Sequence, residues 1–186
     1  LLSRLAIFRG GCTLEAAEIV CGGESPAAVF DELASLVDRS LVQRIETAGD
    51  AVRFVLLAVI HEYAREQLEA GDELDAMCRR HAVYFAELAA RVEVEMRRAR
   101  QKLWFHLLQT EIDNLRAALA WAVGSDIALG IRIMSGTLLY WHIYGRQDEG
   151  ILWTQSLLAR IDEAPKTQQV RLLRRARRNP VPLASA

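Results

Sequence analysis

The sequence predicts a mainly α protein: a winged helix with a two-stranded hairpin, followed by an antiparallel α-helical bundle. Three observations predict it. Within the forty residues Val29–Leu68 the apolar period is helical, then alternating, then helical again. Beyond Gly71 the period stays helical throughout. Glycine pairs and Ser-Pro or Ser-Asp steps fall between these stretches, where helices start and stop.

Each element follows from its residues. Leu1, Leu2, Leu5 and Phe8 share one helical face, and Gly10-Gly11 stops that helix. Thr13 is an N-cap for Leu14–Cys21, which Gly22-Gly23 ends. Ser25-Pro26 places a cap and a first-turn proline before a third helix. That helix runs to about Val37 and is expected to bury Val29, Phe30, Leu33, Leu36 and Val37. Leu41–Ile45 and Val52–Leu57 read as strands joined by a turn at Gly49-Asp50, the wing. From Val59 a helix places Ile60, Tyr63, Ala64 and Leu68 together and ends at Gly71.

The second half reads as paired helices. Leu74, Cys78, His81, Phe85, Leu88 and Val92 form one continuous stripe. One helix over Leu103–Val123 carries Trp104, Leu108, Ile112, Leu115, Leu119 and Ala122 on a face. Ser125-Asp126 caps Ile127–Tyr144, apolar nearly all round and therefore central. Gly145 stops it, and Asp148–Ile161 is a last amphipathic helix. These form two antiparallel pairs with short loops. The expected organisation is residues 1–71 as the winged helix, 72–161 as the helical domain, and 162–186 as a basic tail, disordered or truncated. A helical array needs about three repeats to bury its faces, so an apolar end should be exposed.

Bulk properties exclude some functions. Hydrophobic residues make up 52% of the chain and charged residues 25%, a globular balance. The net charge of −1 gives no global pull toward nucleic acid or membrane. Residues 1–40 carry a net −3 and residues 162–186 a net +4. The apolar run Ile127–Tyr144 is broken by Arg132 and His142 and falls short of the ~20 clean residues of a membrane span. Cys12, Cys21 and Cys78 are odd in number and lack C-x-x-C spacing, which reads as reduced thiols in the cytoplasm. Leu1 already sits in a helical pattern, so a fragment whose N-terminal neighbour is absent is expected.

The chain carries no phosphate loop of the form G-x-x-x-x-G-K-[ST], so ATP hydrolysis is not expected of it. His61-Glu62 opens like a zinc-protease motif, but Arg65 stands where the second histidine is needed. Cys78 and His81 lie on the apolar stripe and read as core. No metal or catalytic residue is assigned. The clustered aromatics Trp104, Trp121, Tyr140, Trp141, Tyr144 and Trp153 read as packing before ligand pocket. Arg132, within the near-apolar helix, needs a carboxylate, with Glu111 or Asp113 as candidates. The third helix offers Asp31, Glu32, Ser35 and Asp38 where a DNA reader needs Arg, Lys, Asn or Gln. The wing adds Gln43, Arg44 and Arg53 against Glu46 and Asp50. This charge argues for a protein-facing role, with a free-standing DNA-binding winged helix as the rival.

Four segments carry a family resemblance: LLSRLAIFRGGCTLEAAEIVC, VFDELASLVDRSLV, RFVLLAVIHEYAREQL and EIDNLRAALAWAV. Together they resemble the regulatory region of bacterial signal-transduction ATPases with numerous domains, notably LuxR-type and AfsR-like transcriptional regulators. The resemblance implies an upstream nucleotide-binding domain holding ATP or ADP, with no cofactor in this segment. It also implies a tetratricopeptide-like helical sensor that receives an inducer or a protein, and a separate output domain for DNA. In the wider class a Met-His-Asp triplet senses the nucleotide. Matching LLAVIHEYA to it places Leu56, Leu57 and Ala58 on the triplet, so the sensing histidine is Leu57 here and the acidic residue Ala58. The resemblance therefore points to Arg53, Leu57, Ala58 and His61 as interdomain contacts that act by packing.

Overall fold

The computed structural model describes residues 1–23, 26–47, 51–96, 101–143 and 147–178. The chain divides into two compact units, Leu1–Tyr84 and Phe85–Ala186, with the division inside one long helix.

The first unit is a winged helix. Its elements are α1 (Leu2–Leu5), α2 (Leu14–Cys21), α3 (Pro26–Asp38), β1 (Val42–Thr47), β2 (Ala51–Leu56), α4 (Ala58–Ala70) and the start of α5 (Leu74–Glu95). Thr13 caps α2 as its sequence predicts, its hydroxyl accepting the Ala16 amide at 3.2 Å. β1 and β2 pair antiparallel, Val42 opposite Leu56 and Thr47 opposite Ala51. The expected Ser25 cap, the Gly49-Asp50 turn, and the Tyr144 and Gly145 stop lie outside the described residues.

Four expectations change here. α1 is one turn, not a helix to Phe8: Leu5, Ala6, Ile7 and Phe8 are all buried. Four consecutive buried residues cannot share one helical face, and the Ile7 and Phe8 amides reach back only three residues, to Arg4 and Leu5. Each strand sits one residue or more from its expected bounds. A third, single-residue strand was missed: Cys12 and Phe54 exchange amide hydrogen bonds at 3.0 and 2.8 Å. Finally, α3 buries Val29 and Leu33, while Phe30 is 56% exposed and Leu36 and Val37 are only half-buried. The five form one stripe along α3; its middle, Val29 and Leu33, meets the core, and its edge at Phe30 does not.

Arg4 ties α1 to the start of α5. Its Nε and Nη2 donate to Glu73 at 2.9 and 2.6 Å, and Nη1 donates to the Cys21 carbonyl at 3.1 Å. These hydrogen bonds hold the Glu73 carboxyl below its ordinary value of 4.5. A lowered folded value means stability that is present above that ordinary value and lost as pH falls through the folded one. Glu73→Gln should therefore cost up to ~1 kcal/mol at neutral pH, the scale of an exposed, screened pair. The cost should vanish in acid below the carboxylate range. Urea melts of both proteins at the two pH values check this.

The second unit is an antiparallel bundle around α8. It holds the rest of α5, then α6 (Gln101–Thr110), α7 (Ile112–Ser125), α8 (Ile127–Ile143), α9 (Gln147–Leu158), a 3-10 turn at Ile161–Glu163, and α10 (Lys166–Arg178). Asp126 caps α8, accepting the Leu129 amide at 3.1 Å. α8 buries residues on every face, among them Ile131, Met134, Tyr140 and Trp141, and packs against α6, α7, α9 and α10. Trp141 donates to Thr137 Oγ1 at 3.1 Å, which satisfies the indole inside the core. Arg116 joins α7 to α9, donating to both Glu149 oxygens at 2.6 Å and to Asp113 at 2.8 Å.

The helix expected over Leu103–Val123 is two helices, α6 and α7, meeting at Glu111. The Thr110 hydroxyl donates to the His106 carbonyl at 3.0 Å, a back-bond of the kind that bends helices. The predicted pairing of Arg132 does not form. Asp113 is held by Arg116, Glu111 accepts from Asn114 Nδ2 at 2.7 Å, and Arg132 is only half-buried. Half-burial leaves its charge solvated, so no buried carboxylate is needed. The segment after Asp162 is not all tail. α10 buries Leu172 against the bundle, and Arg171 donates to Glu93. Exposed apolar residues remain at Leu139, Ile143, Leu152, Val170 and Leu173. Among the described residues, no helix is long and apolar enough to cross a membrane.

Candidate functional site

Among the described residues, two concave surfaces stand out in the winged-helix unit. The first lies around the loop Phe8–Cys12. Gly10 and Gly11 adopt φ of +78° and +85°, the left-handed region that glycine enters freely. Arg53 on β2 points inward and is 3% exposed. Its Nη2 donates to the Gly10 and Gly11 carbonyls at 3.2 and 2.8 Å. His61 Nε2 lies 3.0 Å from the Phe8 carbonyl and completes the clamp from α4. A cleft of about 400 Å³ results, lined by Leu5, Phe8, Gly10, Gly11, Leu56, Ala58, His61 and Glu62 among others.

The four residues expected at an interdomain contact thus separate. Ala58 and His61 line the cleft. Arg53 lies buried, holding the loop, so its part in any contact is indirect. Leu57 is the residue before α4, 43% exposed and without a side-chain cap hydrogen bond. It stands among further exposed apolar side chains, Val59 and Tyr63. Arg53→Met should lower unfolding stability by about 2 kcal/mol, the scale of a lost charged hydrogen bond. Chemical denaturation reads this directly, and Arg44→Met on the exposed face of β1 serves as the near-neutral control.

Sequence reasoning missed the second surface. A groove of about 420 Å³ runs between α3 and the hairpin. Leu14, Phe30, Leu33, Ala34, Val37, Val52 and Phe54 line it, with Asp38 and Arg44 as its charged members. Phe30, Ala34 and Val37 follow i, i+4, i+7 along α3, and Val52 and Phe54 alternate on one face of β2. The signal was present in that spacing. It read as core because nothing in a linear pattern says which apolar stripe finds a partner.

Two of the thiols are shifted away from reactivity. Burial pushes the Cys21 thiol up to about 12 and raises Cys78, the opposite of an activated nucleophile. His81 is buried, its ring edge-on to Phe8 with centroids 5.4 Å apart. Among the described residues, no group of three or more His, Cys, Asp or Glu side chains could hold a metal ion.

A short helix, the single-residue strand at Cys12, two further helices and the β1–β2 hairpin, in that order, make a recognisable plan. Residues 1–69 match the winged helix-turn-helix domain family. The match covers the residues that line both of these concave surfaces. Over 161 residues the chain is 36% identical to proteins of Mycobacterium bovis and of two strains of Mycobacterium tuberculosis. These carry the provisional name of HTH-type transcriptional regulator. The match takes in 85% of this chain but 18% of each relative, so the chain spans only about a fifth of their length. No solved structure matches the chain.

A winged helix-turn-helix domain that reads DNA sets its third helix against base edges and phosphates. Here α3 exposes Asp31, Glu32 and Asp38 and no Lys or Arg within its bounds. Of the two wing arginines, Arg44 is exposed and Arg53 is spent inside.

Proposed function

We propose that this chain is a non-catalytic regulatory module of an ATP-dependent transcriptional regulator. Its winged helix-turn-helix domain works against protein, coupling to a nucleotide-binding domain elsewhere in the polypeptide. The helical half receives an inducer or a protein and shifts the equilibrium between resting and active states by binding one of them better. ATP or ADP would be held outside this segment, DNA would be met through a separate output domain, and the setting is cytoplasmic. The observation that carries the reading is the third helix and its wing: a largely apolar groove, exposed carboxylates and no Lys or Arg on α3, and Arg53 turned inward.

The second reading is direct DNA binding by the winged helix, favoured by the family match and by the relatives' names. A titration of labelled duplex DNA at low and at physiological salt separates the two. Little or no binding is expected at physiological salt. Tight binding with a steep salt slope, reflecting several released counterions, would overturn the protein-facing reading. The coding frame tests the rest: a polypeptide with no phosphate loop anywhere in it would end the ATPase account.

A further inference from the structure

We infer that the groove between α3 and the hairpin seats an amphipathic helix of a protein partner, one with apolar anchors flanked by lysine or arginine. The inference rests on the protein-facing reading above and names the chemistry of the partner. Phe30 carries the argument first. A phenylalanine 56% exposed on a helix is costly surface, and here it forms a wall of a concavity, not an isolated bump. Leu33 is buried beneath it, and Val52 and Phe54 face it from β2. The volume of about 420 Å³ falls in the range of ~300–1,000 Å³ that binding pockets occupy.

The shape of the occupant follows from the walls. They present side chains at helical and strand spacing, which suits the i, i+3, i+4, i+7 stripe of a helix. An extended strand would draw its affinity from main-chain pairing instead. The charge of the occupant follows from the rim. Asp38 borders the groove and Asp31 stands exposed nearby on α3, while Glu32 lies on the far side of the helix, beside the Leu1 amino group. Among the described lining residues, Arg44 is the cation that faces them. Basic flanks on the incoming helix complement the carboxylates and set its direction and on-rate. The same carboxylates repel phosphate, which argues against nucleic acid in the same place.

The test uses the whole 186-residue chain and two fluorescent helical peptides of about fifteen residues. Both carry Leu and Phe anchors at i, i+3, i+4 and i+7. One has lysine flanks and the other glutamate flanks. The lysine peptide should bind at least tenfold tighter than its glutamate sister. Phe30→Glu should weaken it at least tenfold, and Asp38→Lys should narrow or reverse the preference. Ala34→Glu, also at an exposed groove position, repeats the test should Phe30→Glu fail to fold; thermal melts confirm the fold. Binding of neither peptide, equal binding of both, or binding that survives both groove variants overturns the inference. Labelled duplex DNA is run beside the peptides. DNA binding lost on Phe30→Glu overturns the protein-facing reading as well, whereas failed peptides without DNA binding overturn the groove alone.

Discussion

Gly11→Ala is expected to destabilise the winged-helix unit by about 3 kcal/mol, through left-handed strain together with a backbone clash that overpacks the loop. Gly11 has φ +85°, and a Cβ there would lie 2.5 Å from the Phe54 carbonyl oxygen and 2.7 Å from Val55 Cγ2. Neither neighbour yields cheaply. The Phe54 carbonyl accepts the Cys12 amide at 3.0 Å, so pushing it away breaks the small third strand. The clamp from Arg53 to the Gly11 carbonyl would loosen with it. Gly10→Ala is the informative control. Its φ is +78°, but nothing lies within 4 Å of the added carbon. It should cost only the strain, ~1–2 kcal/mol. Urea denaturation followed by circular dichroism compares the two. Equal losses would mean that close packing of the loop on β2 contributes nothing.

Gly136→Ala should be as damaging in the helical bundle, although alanine is the better helix former by about 1 kcal/mol. A Cβ on Gly136 would fall on the Ala89 carbonyl oxygen and 2.8 Å from the Ala89 Cβ. α8 and α5 touch backbone to backbone there, so the helices must separate and the contacts of Met134 and Trp141 nearby would slacken. The expected net cost is about 2–4 kcal/mol, an overpacking penalty exceeding the propensity gain. Gly124→Ala, near the end of α7 with nothing within 4 Å, should be neutral or slightly stabilising. Thermal melts that rank Gly136→Ala at or above the parent protein would show that the close approach is not needed.

Local chemistry was the legible part. Thr13 and Asp126 cap the helices their sequence contexts assign them. α8 is central, as a stretch apolar on all sides demands. Short-range signals sufficed because a cap or a helical period is decided within four or five residues. The misreadings cluster where the outcome depends on distant partners. Cys12 looked like a loop residue, since its strand exists only through Phe54, far along the chain. Leu1–Phe8 looked amphipathic, yet all of Leu5–Phe8 is enclosed. The Arg132 pairing was drawn from polarity alone, and the bundle instead gave Asp113 to Arg116 and left Arg132 half in water.

The candidate sites divide the same way. The acidic character of α3 needs no structure, because Asp31, Glu32 and Asp38 are exposed whichever way the helix settles against a core. The resemblance assigns Ala58 and His61 to an interdomain contact; the structure places both in the lining of one cleft. What no sequence pattern could assign was the direction of two side chains. Arg53 and Phe30 sit on elements that read correctly, yet the cation went inside and the aromatic stayed outside.

By itself, the sequence determined the main helices and the hairpin, the caps at Thr13 and Asp126, and the sign of the charge on α3. These are set by residues close together in the chain. The tertiary structure alone decided that Arg53 is a loop clamp and that Phe30 is the wall of a groove. It also decided that Gly11 and Gly136 are close approaches. Each depends on which distant backbone arrives opposite the residue: the Gly10–Gly11 carbonyls were there to receive a guanidinium, and among the described residues Phe30 is left 56% exposed.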